Sequence, residues 1–183
     1  MDRLFRQILA SHTEKTGGPI KRKNKKMTTK MKTDYHATMV VPTNAHEAFE
    51  GVNSVSSWWT RNFKGQANQL GDTFSVHFGD TWSNFEITEM VQDKRIVWEV
   101  RDCNLHWLKD KKEWKGTRIV WEIIPVKGAV EIQMTHIGLK PGIECFEDCT
   151  IGWNHYVTQS LFNLLKEGKG IPDHPNHSAR DRQ

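Results

Sequence analysis

The amino-acid sequence predicts an α+β domain in which a curved antiparallel sheet wraps around a long C-terminal helix. Short runs of alternating apolar and polar residues fill the middle of the chain, and apolar residues at helical spacing mark its end. Two short helical stretches follow the first strand. The 183 residues fit one such domain, because a second core would lack volume. With 37% hydrophobic residues, the chain is not expected to be disordered as a whole.

The first strand and the two short helices are predicted from the start of the folded part. Residues 35–41 alternate between apolar and polar side chains, as in a half-buried strand. A helix running to about Gly51 follows, with Thr43 or Asn44 as its cap, and Asn44 and Glu47 have the spacing of a capping box. A second short helical piece, residues 54–60, carries two adjacent tryptophans.

The middle of the chain predicts five or six antiparallel strands between about residues 65 and 137, separated by glycine-containing turns. Side chains alternate between the two faces of a strand, so one parity faces the core. The apolar parity comprises Phe74, Val76, Phe78, Phe85, Ile87, Ile96, Trp98, Val100, Ile119, Trp121, Ile123, Val130, Ile132 and Met134. The opposite parity is mostly charged or polar, which predicts one buried and one wet face.

The last predicted element is a helix from about Glu144 to Glu167, ended by Gly168. Its apolar residues recur at three- and four-residue steps and include Cys149, Trp153, Val157 and Leu161. We expect this helix to cover the apolar face of the sheet. A strongly curved sheet closed by a single helix leaves a space between them, here called the interior.

Charge is distributed unevenly along the chain. Residues 1–33 contain ten Lys and Arg against two acidic residues and are predicted to be a basic flexible leader. Its cluster at residues 21–26 fits a polyanion-binding arm, a localisation signal or a solvated tail. The folded domain is predicted to span residues 34–171, before a disordered tail at 172–183. The 150 residues after the leader carry 16 basic and 20 acidic side chains, which argues against specific nucleic-acid binding.

Several function classes find no support in the sequence. No apolar run reaches the roughly 18–20 residues that cross a bilayer, and the N-terminus lacks a secretory signal, so we expect no membrane insertion and a cytoplasmic location. Cys103, Cys145 and Cys149 are too few for a disulfide framework and form no paired zinc motif. Neither a phosphate-binding loop nor a nucleophile elbow is present, and we expect no metal and no cofactor.

Short segments along the chain resemble a known superfamily when taken in order. They are Ala45–Phe49, Trp58–Trp59, Gly71–Phe74, Glu86–Val91, Lys94–Glu99, Thr135–Leu139, Gly152–Trp153 and Ser160–Leu165. The order is similar to START-like (SRPBCC) helix-grip proteins, the birch-pollen-allergen-like fold. Within them it resembles the C-terminal-domain family of the activator of 90-kDa heat-shock protein ATPase. The resemblance implies a helix-grip fold with a hollow interior, in a superfamily that includes lipid carriers, cyclases and chaperone partners.

The candidate binding site consists of the inward aromatic and polar residues of that interior. They are Phe74, Phe78, Phe85, Trp98, Trp121, Met134, His136 and Trp153. Such residues fit a cavity for a small hydrophobic molecule, lipid-like or aromatic, but they also fit a solid core. His136 is the polar point, either binding a ligand carboxyl or hydroxyl group or acting as a base; the alternative is a histidine bonded to backbone at a strand end.

The loop between residues 101 and 115 carries Trp107, Leu108 and Trp114 among charged residues. These three side chains are candidates for a lid over the interior or for a partner-docking surface, with packing against the sheet edge as the alternative. Two further functions remain open beside ligand binding. One is a chaperone-binding module, and the other is a cyclase-like or hydrolytic enzyme with His136 as its base. No inward pair of carboxylates supports the enzyme, so catalysis is not the favoured interpretation.

Overall fold

The computed structural model describes residues 33–173. Seven strands form the sheet: β1 (Tyr35–Val41), β2 (Phe63–Gly65), β3 (Thr73–Phe78), β4 (Thr81–Val91), β5 (Arg95–Asn104), β6 (Arg118–Val126) and β7 (Ala129–Ile137). All neighbouring pairs are antiparallel, in the order β1-β7-β6-β5-β4-β3-β2. The predicted α+β architecture is therefore confirmed, and β2 is a short edge strand that the sequence did not predict. The predicted leader and residues 174–183 of the predicted tail lie outside the described residues.

Two short helices connect β1 to β2, as predicted. They are α1 (Ala45–Asn53) and α2 (Val55–Trp58). Asn44 caps α1, because its side-chain oxygen accepts a hydrogen bond of 2.9 Å from the backbone N–H of Glu47. The second helix ends at Trp58, two residues earlier than the sequence indicated. At only four residues, α2 depends on its neighbours for its position.

The final helix runs from Phe146 to Glu167 in three consecutive segments: α3 (Phe146–His155), a π-helical segment (Tyr156–Leu161) and α4 (Phe162–Glu167). The wider π-helical segment buries Val157, Ser160 and Leu161 against the rest of the fold. The hydroxyl of Ser160 donates to the backbone oxygen of Trp58 and accepts from the backbone N–H of Ile171, both at 2.6 Å. One side chain thus joins the helix, α2 and the end of the described chain.

The predicted inward parity is buried in the sheet, with one exception. Phe78 follows Phe74 and Val76 in parity but is only half-buried. It is the last residue of β3, before the exposed turn at Gly79 and Asp80. Phe78 still contacts the interior, since its ring centroid lies 6.1 Å from that of Trp59.

The outer face of the sheet is less exposed to solvent than its mostly polar residues suggest. Val97 and Val120 lie on this outer face, yet they are only 3% and 7% exposed. Val97 of β5 pairs with Val120 of β6. The next pair on the same face of these two strands is Arg95 and Glu122. Arg95 forms ion pairs of 2.9 Å with Glu89 and Glu122. Long charged side chains can cover apolar surface with their stems, which the alternation pattern alone does not reveal.

The last described residues pack on the region around α2. The backbone N–H of Asp173 donates to the oxygen of Trp59 at 2.9 Å, and Arg61 N donates back to Asp173 at 3.0 Å. Just before this pairing, a Cβ on Gly170 would lie 2.3 Å from the backbone oxygen of Ser57. The chain after the final helix therefore packs closely on α2.

We expect Gly170→Ala to lower the free energy of unfolding by about 1–3 kcal/mol, because the added methyl collides with backbone that must shift. Gly152→Ala is the matched control, since a Cβ at Gly152 meets nothing within 4 Å. An alanine in this helical position should raise stability by roughly 0.5–1 kcal/mol. Urea denaturation of both variants checks the prediction, and an equal effect of the two changes would contradict it.

Candidate functional site

Two aromatic rings, one at the end of α2 and one on the residue after it, occupy the interior. Trp58 and Trp59 stack on each other with ring centroids 5.8 Å apart. Trp59 also lies 4.7 Å from Trp153 of the final helix and 6.4 Å from Trp98 of the sheet. All four side chains are at most 3% exposed. The interior, predicted from the sequence as either a ligand cavity or a solid core, is therefore filled by two tryptophans in this conformation.

Most of the predicted interior residues are brought together around this pair. Those with at most 3% exposure are Phe74, Phe85, Trp98, Trp121, Met134, His136 and Trp153. Adjacent rings pack closely, with centroid distances of 4.9 Å for Phe74–Phe85 and 5.4 Å for Trp98–Trp121. The sequence did not predict the inward position of Trp58 and Trp59. A helix of four residues is too short for its spacing to reveal a buried face.

Two indole N–H groups in the interior have no hydrogen-bond partner in the described structure. They are Nε1 of Trp98 and Nε1 of Trp121, on rings that are fully buried. By contrast, Trp58 Nε1 donates to the backbone oxygen of Val52 at 3.2 Å. Buried polar groups normally find partners, and an unpaired one costs about 1–3 kcal/mol. The interior thus holds two unsatisfied donors, on rings whose centroids lie 5.4 Å apart.

His136 is the centre of a closed hydrogen-bond network. Its Nδ1 accepts from Trp153 Nε1 at 3.1 Å, so the ring proton lies on Nε2, which donates to Thr117 Oγ1 at 2.9 Å. The hydroxyl of Thr117 donates onward to the backbone oxygen of Trp114 at 2.6 Å. Burial lowers the pKa of His136 to about 3. A neutral ring with both nitrogens bonded has no free lone pair for a ligand or a substrate proton in this conformation.

The loop between β5 and β6 is anchored to the start of the final helix. The carboxylate of Glu113 accepts from the backbone N–H groups of Glu144 and Cys145, at 2.7 and 2.9 Å. The Glu144 carboxylate in turn accepts from the backbone N–H of Lys109 at 3.1 Å. The two Glu113 bonds satisfy N–H groups just before α3, and all three bonds join the loop to the start of this helix.

The three lid candidates divide between core and surface. Leu108 and Trp114 are buried, at 5% and 8% exposure, and the Trp114 ring stacks on Trp153 with centroids 5.9 Å apart. Trp107 is 41% exposed. A movable lid made of all three side chains is therefore inconsistent with this packing. Of the three, only Trp107 is exposed to solvent.

The three cysteines are buried, and none belongs to a group placed to hold a metal in the described part of the chain. Cys103, Cys145 and Cys149 are buried free thiols. The pKa of Cys145 is raised by its hydrogen bond with Cys149 and by burial, and burial also raises the pKa of Cys103. Between residues 33 and 173, no cluster of three or more His, Cys, Asp or Glu is placed to hold a metal. Over the same residues, no helix is long and apolar enough to span a membrane.

Comparisons with known proteins agree with this architecture. The sequence model of the family described as activator of Hsp90 ATPase homolog 1-like protein matches residues 39–166. Comparison with curated proteins gave no sequence match.

Three solved structures illustrate the shared fold. The Aha1 dimer from Colwellia psychrerythraea is 19% identical, with a TM-score of 0.62, covering 75% of this chain and 98% of that chain. A protein from Staphylococcus saprophyticus is 14% identical, with a TM-score of 0.59 and coverage of 78% and 98%. An HSP90 activator from Plasmodium falciparum is 20% identical, with a TM-score of 0.50 and coverage of 72% and 93%. Identities this low establish the fold and not the function.

We expect the stability of the protein to fall as the pH drops below about 6.5, partly through His136. The unfolded histidine takes up a proton below the ordinary pKa of 6.5, whereas the folded one stays neutral down to about 3. Between these values protons favour the unfolded chain, by about 1.4 kcal/mol per pH unit for one group. Urea denaturation between pH 7 and 5 should show a shallower pH dependence for His136→Gln. An equal change of the free energy of unfolding with pH in the unaltered protein and in His136→Gln would contradict this role of His136.

Proposed function

Because the chain belongs to the family of activator of Hsp90 ATPase homolog 1-like proteins, we propose that it is a binding domain for a small, largely apolar molecule. The observation that carries this proposal is the pair of buried, unpaired indole N–H groups of Trp98 and Trp121. A ligand with a carbonyl, ether or hydroxyl oxygen would satisfy these donors while its apolar part replaces ring contacts.

Room for the ligand comes from displacement of α2. Trp58 and Trp59 are carried by this short helix and the residue after it, so moving them leaves the pairing of the long strands intact. The movement breaks at least three bonds: from Ser160 Oγ to the Trp58 oxygen, from Trp58 Nε1 to the Val52 oxygen, and from the Asp173 N–H to the Trp59 oxygen. Binding of the ligand therefore shifts a population from the filled interior to an open one.

Native mass spectrometry of the full chain purified from its own host tests the proposal, because a retained molecule adds its mass to the protein. We expect Trp98→Phe and Trp121→Phe to weaken the affinity for that molecule about tenfold each, since each removes one donor and keeps a ring. Trp107→Phe makes the same chemical change on the surface and should leave affinity unchanged. A protein that retains no molecule, or equal affinities in all three variants, would rule the proposal out.

The same substitutions give an independent prediction for stability without ligand. Trp121→Phe and Trp153→Phe leave cavities of similar size, but only the second removes a donor that has a partner, the Nδ1 of His136. We expect Trp153→Phe to cost about 1–3 kcal/mol more than Trp121→Phe in urea denaturation. Equal losses would show that the Trp121 N–H is satisfied in solution.

A second candidate function is binding to a protein partner, and the exposure of Trp107 favours it. Its side chain is 41% exposed, on a loop held rigid by Glu113 and Glu144. Exposed tryptophans on rigid surfaces are frequent binding hot spots. A solved structure with this fold is an HSP90 activator, so we propose the 90-kDa chaperone as the partner to test.

We expect the full chain to bind the purified 90-kDa chaperone and Trp107→Ala to weaken that binding tenfold or more, as for loss of a central aromatic contact. Leu70→Ala is the matched control, because Leu70 is also an exposed apolar side chain, at 64%, outside the loop. Calorimetric titration measures both. Absence of binding at roughly 50 μM, where an interaction of about −6 kcal/mol is still detectable, would exclude this function.

A further inference from the structure

The place of the Trp58 ring is bordered by the two rings that carry unpaired donors. Trp58 is fully buried, and its ring centroid lies 5.7 Å from that of Trp121 and 6.5 Å from that of Trp98. The Nε1–H groups of Trp98 and Trp121 have no acceptor within residues 33–173. A molecule that takes the place of the Trp58 ring therefore contacts both of these indoles.

The same place also contains an acceptor that depends on Trp58. The Nε1–H of Trp58 donates to the backbone oxygen of Val52 at 3.2 Å. Val52 is fully buried, and a buried acceptor that loses its donor is destabilising. A molecule that replaces the Trp58 ring therefore needs a hydroxyl or N–H donor for Val52 at one edge. At another edge it needs an oxygen acceptor for the two unpaired indoles.

The orientation of the neighbouring rings favours a flat molecule. Trp98 lies on β5 and Trp121 on β6, so both belong to the sheet. The plane of Trp98 is inclined by 18° to that of Trp58, whereas the plane of Trp121 is inclined by 78°. A planar conjugated molecule of about the size of an indole keeps the stacked contact with Trp98 and the edge contact with Trp121.

The charge of the surroundings favours an uncharged molecule. No Asp, Glu, Lys or Arg is among the buried residues of the described chain. His136 is neutral, and both of its ring nitrogens are already bonded, so it provides no positive charge for a carboxylate. A buried ion without a partner of opposite charge is costly, and two neutral N–H groups offset only part of that cost. Carboxylates and amines are therefore disfavoured.

We propose, on the basis of the binding function proposed above, that the ligand is a planar, uncharged hydroxyaryl ketone. Its hydroxyl group donates to the Val52 oxygen in place of Trp58 Nε1. Its carbonyl oxygen has two lone pairs and accepts from the indole N–H groups of Trp98 and Trp121. A hydrocarbon of the same shape leaves all three of these groups unpaired, and a carboxylate buries a charge.

Calorimetric titration with indane-based probes, each about the size of an indole, tests this ligand class. The probes are 5-hydroxy-1-indanone, 1-indanone, 5-indanol, indane and 1-oxoindane-5-carboxylate. The full chain with Trp58→Ala is the first protein to titrate, because the substitution removes the ring without requiring α2 to move. We expect 5-hydroxy-1-indanone to bind about tenfold more tightly than 1-indanone or 5-indanol, and these about tenfold more tightly than indane, since each step removes one type of hydrogen bond. The carboxylate should not bind.

Adding Trp121→Phe to Trp58→Ala identifies the group that the carbonyl contacts. This change should weaken the binding of 5-hydroxy-1-indanone and 1-indanone about threefold to tenfold, because one donor is lost. It should leave the affinity for 5-indanol unchanged, since that probe has no carbonyl. Trp107→Phe in the same background is the matched surface control and should alter no affinity. Circular dichroism verifies folding, and Trp58→Leu, which keeps more apolar contact, replaces a Trp58→Ala variant that does not fold.

The unaltered full chain separates this inference from the proposed function. It should bind the probes in the same order but more weakly than Trp58→Ala, because displacing Trp58 consumes part of the binding free energy. Ordered binding to Trp58→Ala without any binding to the unaltered chain would overturn the proposed function, on which the ligand class rests. Equal binding of indane, binding of the carboxylate as tight as that of 1-indanone, or no binding of 5-hydroxy-1-indanone to the folded variant would overturn the ligand class itself.

Discussion

The structure depends on how the space between the curved sheet and its one long helix is filled. Stacked Trp58 and Trp59 fill it, and they reach Trp98 on the sheet and Trp153 on the helix. Protein interiors are close-packed, so an empty space of this size would cost the contacts of every residue around it. The hydroxyl of Ser160 holds the pair in place through the Trp58 backbone. Sheet, helix and α2 are thus stabilised by one aromatic cluster.

Filling the interior with indole rings has a consequence for its polar atoms. Trp153 donates to His136, which becomes part of a closed chain of hydrogen bonds with Thr117. The indole N–H groups of Trp98 and Trp121 have no acceptor in the described structure. The interior therefore combines one fully satisfied histidine with two unsatisfied donors. In this conformation the two tryptophans, and not the histidine, have hydrogen-bonding groups that a ligand could use.

The long loop between β5 and β6 and the start of α3 stabilise each other. Glu113 satisfies N–H groups at the helix start, and Trp114 stacks on Trp153 inside. Membership of the family establishes the fold. What the chain binds depends on its own side chains, including those that are exposed at the surface. Trp107, at 41% exposure, is such a position.

The amino-acid sequence by itself determined the α+β architecture and the inward face of the sheet, because alternation has a period of two that burial enforces along every strand. It correctly put Trp98 and Trp121 inside and predicted a capped helix after the first strand, with Asn44 as one of two candidate caps. Tertiary structure alone decided the position of Trp58, whose helix is too short to carry a pattern. It also decided the partners of His136 and the missing partners of the Trp98 and Trp121 N–H groups. Hydrogen bonds between distant residues depend on distances and directions that one-dimensional spacing does not contain.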